Sequence, residues 1–497
     1  IDNPVLNGNG AIEFKIEYDV PRDIAFNVGL SFSAEFDPVL FQTQNPDADL
    51  VIPLETQITV EADLPFIIKD VFGADDYDYT DPNGVDGFVL ANGPNANRIF
   101  TGSGDDDITG GLVTDIVNAG AGNDVIFTAS GDDNIVGGDG DDIINPGVGF
   151  DIVRGGDDVD TLDYSSLTLD VDLNLGALIN NFAVATIDAL GAGFEQDQIR
   201  EIENVTTGSG NDTLGGDASD NLLITSAGDD VLYASAGADI LDGGTDNDTV
   251  DYSTLNGFVN FVSLTLNGAL DTIVTVNGGT DDTIRNIENV VGTSGDDIIN
   301  GDAAVNRLEG QGGDDTLSGR GGIDTLDGGA GSDTVDYTSA AGAVVVNLAA
   351  NQTTNDGDGA SDTLVSIENV TGSLFADNIT GSAGANIFYG NDGDDTISGG
   401  AGDDLFLASN DADTLDGGAD IDEVDYSGLA GVNFINVTLN GSTDATVTVD
   451  GGTNDTVRNI ENVTGTAGDD TIGGDSADNV LSGLGGNDTL AGRGGDD

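Results

Sequence analysis

Apolar side chains recur at every ninth residue over long stretches of this chain. An aliphatic or phenylalanine side chain stands at 108, 117, 126, 135, 144, 153 and 162, then at 214, 223, 232, 241 and 250, then at 299, 308, 317, 326 and 335. Two further series run at 379, 388, 397, 406, 415 and 424 and at 472, 481 and 490. A nine-residue period is neither the 3.6 of a helix nor the 2 of a plain strand. It fits a unit made of a tight turn and a strand of about three residues with one inward side chain. At 38% hydrophobic composition, 26 apolar positions in succession have a chance probability on the order of 10⁻¹¹. Residues 1–91 read differently: Ile12, Phe14, Ile16 and Tyr18 alternate with polar residues, as do Phe26, Val28, Leu30 and Phe32, and Ile58 and Val60. Period two with Pro and Asn-Gly punctuation predicts an antiparallel, sandwich-like β domain there. No helix longer than a turn or two is expected anywhere.

The polar half of the unit carries the candidate chemistry. Gly310-Gln311-Gly312-Gly313-Asp314-Asp315-Thr316-Leu317-Ser318 is followed by two close copies ending at Asp336. Glycines at the first, second and fourth places permit positive φ, so the chain turns tightly and can present carbonyl oxygens inward. The sixth place adds a short carboxylate. Oxygen donors of this kind supply part of the shell of six to eight hard ligands that calcium takes.

The pattern G-G-x-G-x-D-x-U-x, with U apolar, resembles the calcium-binding nonapeptide of the repeats-in-toxin (RTX) proteins, and the likeness covers residues from about 92 to 497. The resemblance implies an all-β fold of right-handed parallel β-rolls, a β-solenoid with two nonapeptides per coil, and calcium lying between one turn and the turn eighteen residues later. It assigns as metal ligands Asp106, Asp115, Asp124, Asp133, Asp142, Asp151 and Asp160 in a first array, and Asp212, Asp230, Asp239 and Asp248 in a second. Asp297, Asp315, Asp324 and Asp333 belong to a third, Asp377, Asp395, Asp404, Asp413 and Asp422 to a fourth, and Asp470 and Asp488 to a fifth. Asn221, Asn306, Asn386 and Asn479 hold the sixth place in the second unit of their arrays. An amide brings no charge, so these units are expected to bind weakly or to serve only as turns, and Asn306→Ala is expected to do little. Val113 in place of a glycine and Pro146 at a first place put their own sites in doubt. Pairing same-side units within arrays gives roughly 16 calcium sites.

The arrays span 92–163, 206–251, 291–336, 371–425 and 464–497, separated by inserts at 164–205, 252–290, 337–370 and 426–463. Each complete array closes on Asp-Tyr (Tyr164, Tyr252, Tyr337, Tyr426), and each insert ends on Ile-Glu-Asn-Val with the nine-residue phase restored. The inserts are therefore expected to rejoin the same coil. Glu203, Glu288, Glu368 and Glu461 either close the first calcium site of the next array or cap its edge. Strands around Asn267-Gly268 and Asn440-Gly441 predict paired strands, as wider coils or a projecting hairpin, serving as filler or as a partner surface. Asp75–Asp81 reads as a solvated linker or an acidic loop, and Asp356, Asp358 and Asp362 as a polar turn with an incidental ion.

Composition narrows the function. With 92 acidic against 11 basic side chains the formal charge is −81, which excludes nucleic acid as a default partner. The counter-charge is expected to be metal, and sixteen divalent ions would still leave a charge of about −49. His, Cys and Met are absent. This leaves only hard oxygen ligands, which disfavours zinc, copper and iron, and it removes disulfides and the Ser-His-Asp and H-E-x-x-H constellations, so no enzyme activity is expected. No signal peptide or transmembrane run is visible; a start at Ile1 and a stop within a nonapeptide are read as a fragment of something longer. RTX membership implies type I secretion, unfolded and calcium-poor, with folding on calcium outside the cell. The expected function is a secreted, extracellular or cell-surface structural protein: a surface-layer (S-layer), filament, matrix or adhesin component that self-assembles or binds surface polysaccharide or protein. The alternative is the calcium-folded secretion module of a larger exoenzyme or toxin.

Overall fold

The structure is a computed structural model, and it describes residues 96–187, 195–255, 261–277, 281–450 and 454–497 together with four short strands before them. Val5–Leu6 and Ile12–Glu13 pair antiparallel. The rest of the alternation expected in 1–91, from Phe14 to Val60, lies outside the described residues.

The chain divides into two units, Ile1–Asp248 and Thr249–Asp497. In the first, each nonapeptide contributes one strand, and successive strands fall alternately into two parallel sheets. One sheet runs through Asn97–Gly102, Ile116–Ala121, Asn134–Asp139 and Ile152–Asp157. The other runs through Asp107–Thr109, Val125–Phe127, Ile143–Asn145 and Thr161–Asp163. Register steps by eighteen residues, as Ile126 opposite Ile108 and Ile144 show. Each three-residue strand points its middle side chain inward, because successive side chains face opposite sides of a pleated strand. The recurrent apolar residue is consequently buried at every position from Ile108 to Ile472, leaving only Leu481 and Leu490 incompletely covered. Each such burial contributes about 1.5–3 kcal/mol.

Two strands extend this stack upstream. Tyr77–Thr80 pairs in parallel with 97–100, and Phe88–Leu90 with Asp107–Thr109. The segment read as a solvated linker thus supplies a strand, and the sheets take in residues before the boundary expected at 91.

The inserts are rungs with an added reversal. After Thr161–Asp163, one sheet passes directly to Asn204–Thr206. The other passes from Ile152–Asp157 to Glu195–Arg200, then antiparallel to Ala183–Ile187 and Val171–Asn174, and resumes in parallel at Thr213–Gly215. In the second unit the same reversal is made by Val262–Thr265, Thr272–Val276 and Asp282–Arg285, by Val345–Asn347, Gln352–Asn355 and Thr363–Val365, and by Ile435–Thr438, Ala445–Val449 and Asp455–Arg458. The expected hairpins therefore lie within the sheet, and Gly268 and Gly441 turn them at φ 56° and 58°. The one helical segment among the described residues is a 3-10 turn, Leu348–Ala350.

Candidate metal centre

The turn places the sixth-place aspartate at the start of its strand, buried, with one carboxylate oxygen facing back along the stack. Asp124 Oδ1 accepts the backbone N–H of Asp106 at 2.7 Å, Asp142 that of Asp124 at 2.8 Å, and Asp160 that of Asp142 at 2.9 Å. On the other sheet Asp115 donates to Asp133 and Asp133 to Asp151, at 2.6 and 2.7 Å. The same ladder links Asp212 to Asp230, Asp297 to Asp315, Asp315 to Asp333, Asp377 to Asp395, Asp404 to Asp422 and Asp470 to Asp488. Asp248 accepts from Asp230 at 3.0 Å. Within an array the residue one rung along the stack is eighteen positions on, and the short aspartate side chain reaches this N–H from there.

The second oxygen separates nineteen of the twenty-two sixth-place aspartates, all but Asp106, Asp248 and Asp488, into two groups. Oδ2 of Asp124, Asp133, Asp142, Asp151, Asp160, Asp212, Asp230, Asp315, Asp324, Asp333, Asp395, Asp404 and Asp422 is buried and has no hydrogen-bond partner. A buried anionic oxygen without a partner is costly, and rows of them call for a cation. Backbone oxygens converge on the same spot. A Cβ on Gly310 would overlap Asp315 Oδ2 and lie 2.8 Å from the Gly328 carbonyl; on Gly399 it would overlap Asp404 Oδ2 and lie 2.7 Å from the Gly417 carbonyl. Among the described residues no three acidic side chains form a self-contained cage, and at Gly310 and Gly399 the neighbouring oxygens are one carboxylate and one backbone carbonyl. Such an all-oxygen set fits calcium. Gly310→Ala is expected to destabilise the calcium-loaded protein by about 1–3 kcal/mol in thermal unfolding. Gly428→Ala, with nothing within 4 Å of its Cβ, should change stability by less than about 0.5 kcal/mol.

In the other group protein groups satisfy Oδ2. Asp115 accepts from Gly111 N–H, Asp239 from the Ser235 hydroxyl and Asp413 from the Ser409 hydroxyl, at 2.7, 2.6 and 2.8 Å. Asp297, Asp377 and Asp470, each first in its array, accept N–H and hydroxyl bonds from Thr293, Ser373 and Thr466. Asp115 belongs to the unit bearing Val113, whereas Asp151, in the unit opened by Pro146, keeps an unpartnered Oδ2.

Burial is the main cause of a raised pKa along the rows. It pushes Asp151 and Asp395 up to about 8, with Asp197 and Asp413 as the respective leading carboxylate neighbours adding repulsion. Asp124, Asp160, Asp315, Asp324 and Asp422 rise to about 7, and Asp133, Asp142, Asp230 and Asp404 to about 6. Donated backbone N–H bonds oppose the shift without cancelling it.

The inserts contribute sixth-place residues that the glycine pattern concealed. Asp197, Asp362 and Asp455 accept the N–H of Asp151, Asp324 and Asp413, while Glu203, Glu368 and Glu461 accept that of Asp160, Asp333 and Asp422. Each carries a buried apolar residue two places on, as Ile199 and Val205 show, which is the signal that was available. Asp362 is therefore part of a rung, which corrects its reading as part of a polar turn, whereas Asp356 does form such a turn, accepting the N–H groups of Asp358, Gly359 and Ala360. The four sixth-place asparagines are fully engaged. Each amide donates to the carbonyl of the Ile-Glu-Asn-Val glutamate eighteen residues earlier, and each Oδ1 accepts an N–H four residues back.

These features define the protein as a parallel β-roll whose turns carry rows of buried carboxylates. The sequence model of the RTX calcium-binding nonapeptide repeat matches residues 93–144, 215–250, 286–339, 371–424 and 464–497, and over these stretches the chain belongs to that family. No curated protein matches the chain. Among solved structures it is similar to the extracellular lipase LipA from Serratia marcescens at 15% identity over 53% of this chain, with a TM-score of 0.15. The match spans 39% of the lipase chain, well under its full length. The protein is thus a calcium-binding β-roll protein of a family whose members are typically secreted. No described helix is long and apolar enough to cross a membrane.

Proposed function

We propose that this chain is an extracellular scaffold, rigidified by calcium, that builds a surface-layer, filament, matrix or adhesin structure. The observation that carries this reading is the conversion of even the inserts into rungs: within each unit the Ile-Glu-Asn-Val segments and the reversal strands pair in parallel with array strands. Nearly every described residue is spent on extending a scaffold, and a super-repeat of this kind suits the building of length. Outward-facing apolar pairs give such a scaffold a way to associate: Val125 beside Ile143 and Tyr389 beside Leu407 are each 37–44% exposed. Calcium occupies the rows of unpartnered Oδ2 atoms, and Asp197, Asp455 and the insert glutamates carry the stack across the inserts.

Electron microscopy and light scattering with and without calcium test the assembly reading. Ordered assemblies or filaments in millimolar calcium that disperse in chelator are expected; monomers at every calcium level would overturn it. At single sites, Asp315→Ala should remove about one bound calcium ion, because it deletes an ion-facing oxygen. Asn306→Ala should leave the number of ions unchanged yet cost about 1–3 kcal/mol, since it orphans the Glu288 carbonyl. That second outcome replaces the expectation of a near-silent change. Equal ion loss in the two variants, read by equilibrium dialysis, would undo the distinction between them.

A further inference from the structure

Inside the arrays most sixth-place aspartates leave Oδ2 without a partner, and neighbouring N–H or hydroxyl groups take it at the others; at two inserts the corresponding place is filled by a buried tyrosine. Asp197 continues the row through Asp151, but its Oδ2 accepts the hydroxyl of Tyr164, the tyrosine that closes the first array. Asp455 continues the row one rung beyond Asp413, whose Oδ2 the Ser409 hydroxyl already takes, and its own Oδ2 accepts the hydroxyl of Tyr426 at 2.9 Å. Both tyrosines are buried, so each is a neutral, fixed donor. On the other sheet the row reaches Glu203 or Glu461, and the backbone carbonyl of that glutamate is taken by the amide of Asn221 or Asn479, at 2.8 and 2.9 Å. The aspartate that an ordinary unit would hold there would instead leave carboxylate and carbonyl oxygens facing each other.

We propose that each such insert ends both ion rows, one with a tyrosine hydroxyl and the other with an asparagine amide, so that successive arrays take up calcium as separate blocks. The inference rests on the reading that the rows hold calcium. Neighbouring ions in an unbroken row are coupled, because each rung is ligated from both sides and ordering one turn prepares the next. A neutral donor needs no ion and is formed at any calcium concentration, so coupling stops there. The asparagines are thus not weakened sites; they are stops. Their recurrence in the second unit of four arrays, with the same two hydrogen bonds each time, follows from the glutamate carbonyl that they meet.

The test converts stops into sites. In the full chain, N221D, N306D, N386D and N479D are combined, and bound calcium is counted by equilibrium dialysis while folding is followed by circular dichroism across a calcium titration. About four more ions per chain and a steeper titration are expected. Y426F, which frees Asp455 Oδ2 without adding charge, provides a second variant should the quadruple change fail to fold; it should gain about one ion. Unchanged ion numbers in the folded variants, beside a wild type that does bind calcium, would overturn the inference and leave the calcium reading intact. A wild type that binds no calcium would overturn that reading itself.

Discussion

A chelator in excess of calcium abolishes the β-rich circular dichroism of this chain and enlarges its hydrodynamic radius, and millimolar calcium restores both: this is the largest effect expected of any treatment. Two features drive it. With 92 acidic and 11 basic side chains, the compact state is opposed by self-repulsion that bound divalent ions partly neutralise. The thirteen unpartnered Oδ2 atoms then face one another's neighbourhoods along the rows without any donor, each an uncompensated buried anion. Calcium binds the folded turns and scarcely the unfolded chain, so it stabilises by RT ln(1 + [L]/Kd) per site, about 2.7 kcal/mol at a hundredfold excess over Kd. Ten such sites contribute roughly 27 kcal/mol, beyond the usual net stability of about 5–15 kcal/mol. The thin core cannot replace them, because a three-residue strand buries a single side chain. Retention of the full β spectrum in chelator would contradict this account at its base.

How much of this was visible in the sequence depends on what the nine-residue period records. The period reports a geometric requirement repeated at each turn, so the buried apolar residue and the sixth-place aspartate were legible throughout: Leu317 and Asp315 stand where the spacing puts them. What the period cannot report is the partner of an individual oxygen. Asp297 and Asp315 occupy the same place in the repeat, yet Thr293 satisfies the first while the second has an unpartnered Oδ2. The difference is a second-place threonine instead of Gln311, visible once the contact is known. The insert rungs were only half legible: Glu203 stood out by its place in Ile-Glu-Asn-Val, whereas Asp197 with Ile199 keeps the acid-x-apolar half of the unit without its glycine pattern. Tyr164 and Asp197 are 33 residues apart across an antiparallel excursion, and Tyr426 and Asp455 are 29 apart. No fixed spacing announces that pairing; it is a product of the sheet's return to its own edge.

Lowering the pH has opposite effects on the calcium-free and calcium-loaded protein, and the sign follows from the direction of the carboxylate shifts. Burial holds Asp151 and Asp395 near 8, Asp124 and Asp315 near 7, and Asp133 near 6 in the fold, against about 3.9 in an unfolded chain. Between those values the folded chain binds more protons than the unfolded one, so calcium-free stability falls as pH rises from about 4 to about 8 and is recovered on acidification. A proton on Oδ2 then does in part what the cation does, by removing the charge. The loaded protein behaves in reverse, since a ligating carboxylate must be deprotonated and protons compete with the ion. In chelator, circular dichroism should therefore show more β structure at about pH 5 than at about pH 8, while the calcium concentration needed for half-folding should be higher at about pH 5. The lower limit is kept above the isoelectric point near 4.1, where loss of net charge favours precipitation. A calcium-free chain less ordered at pH 5 than at pH 8 would mean that the row carboxylates titrate as exposed groups, and that the unpartnered oxygens are not buried in solution as they are in the fold.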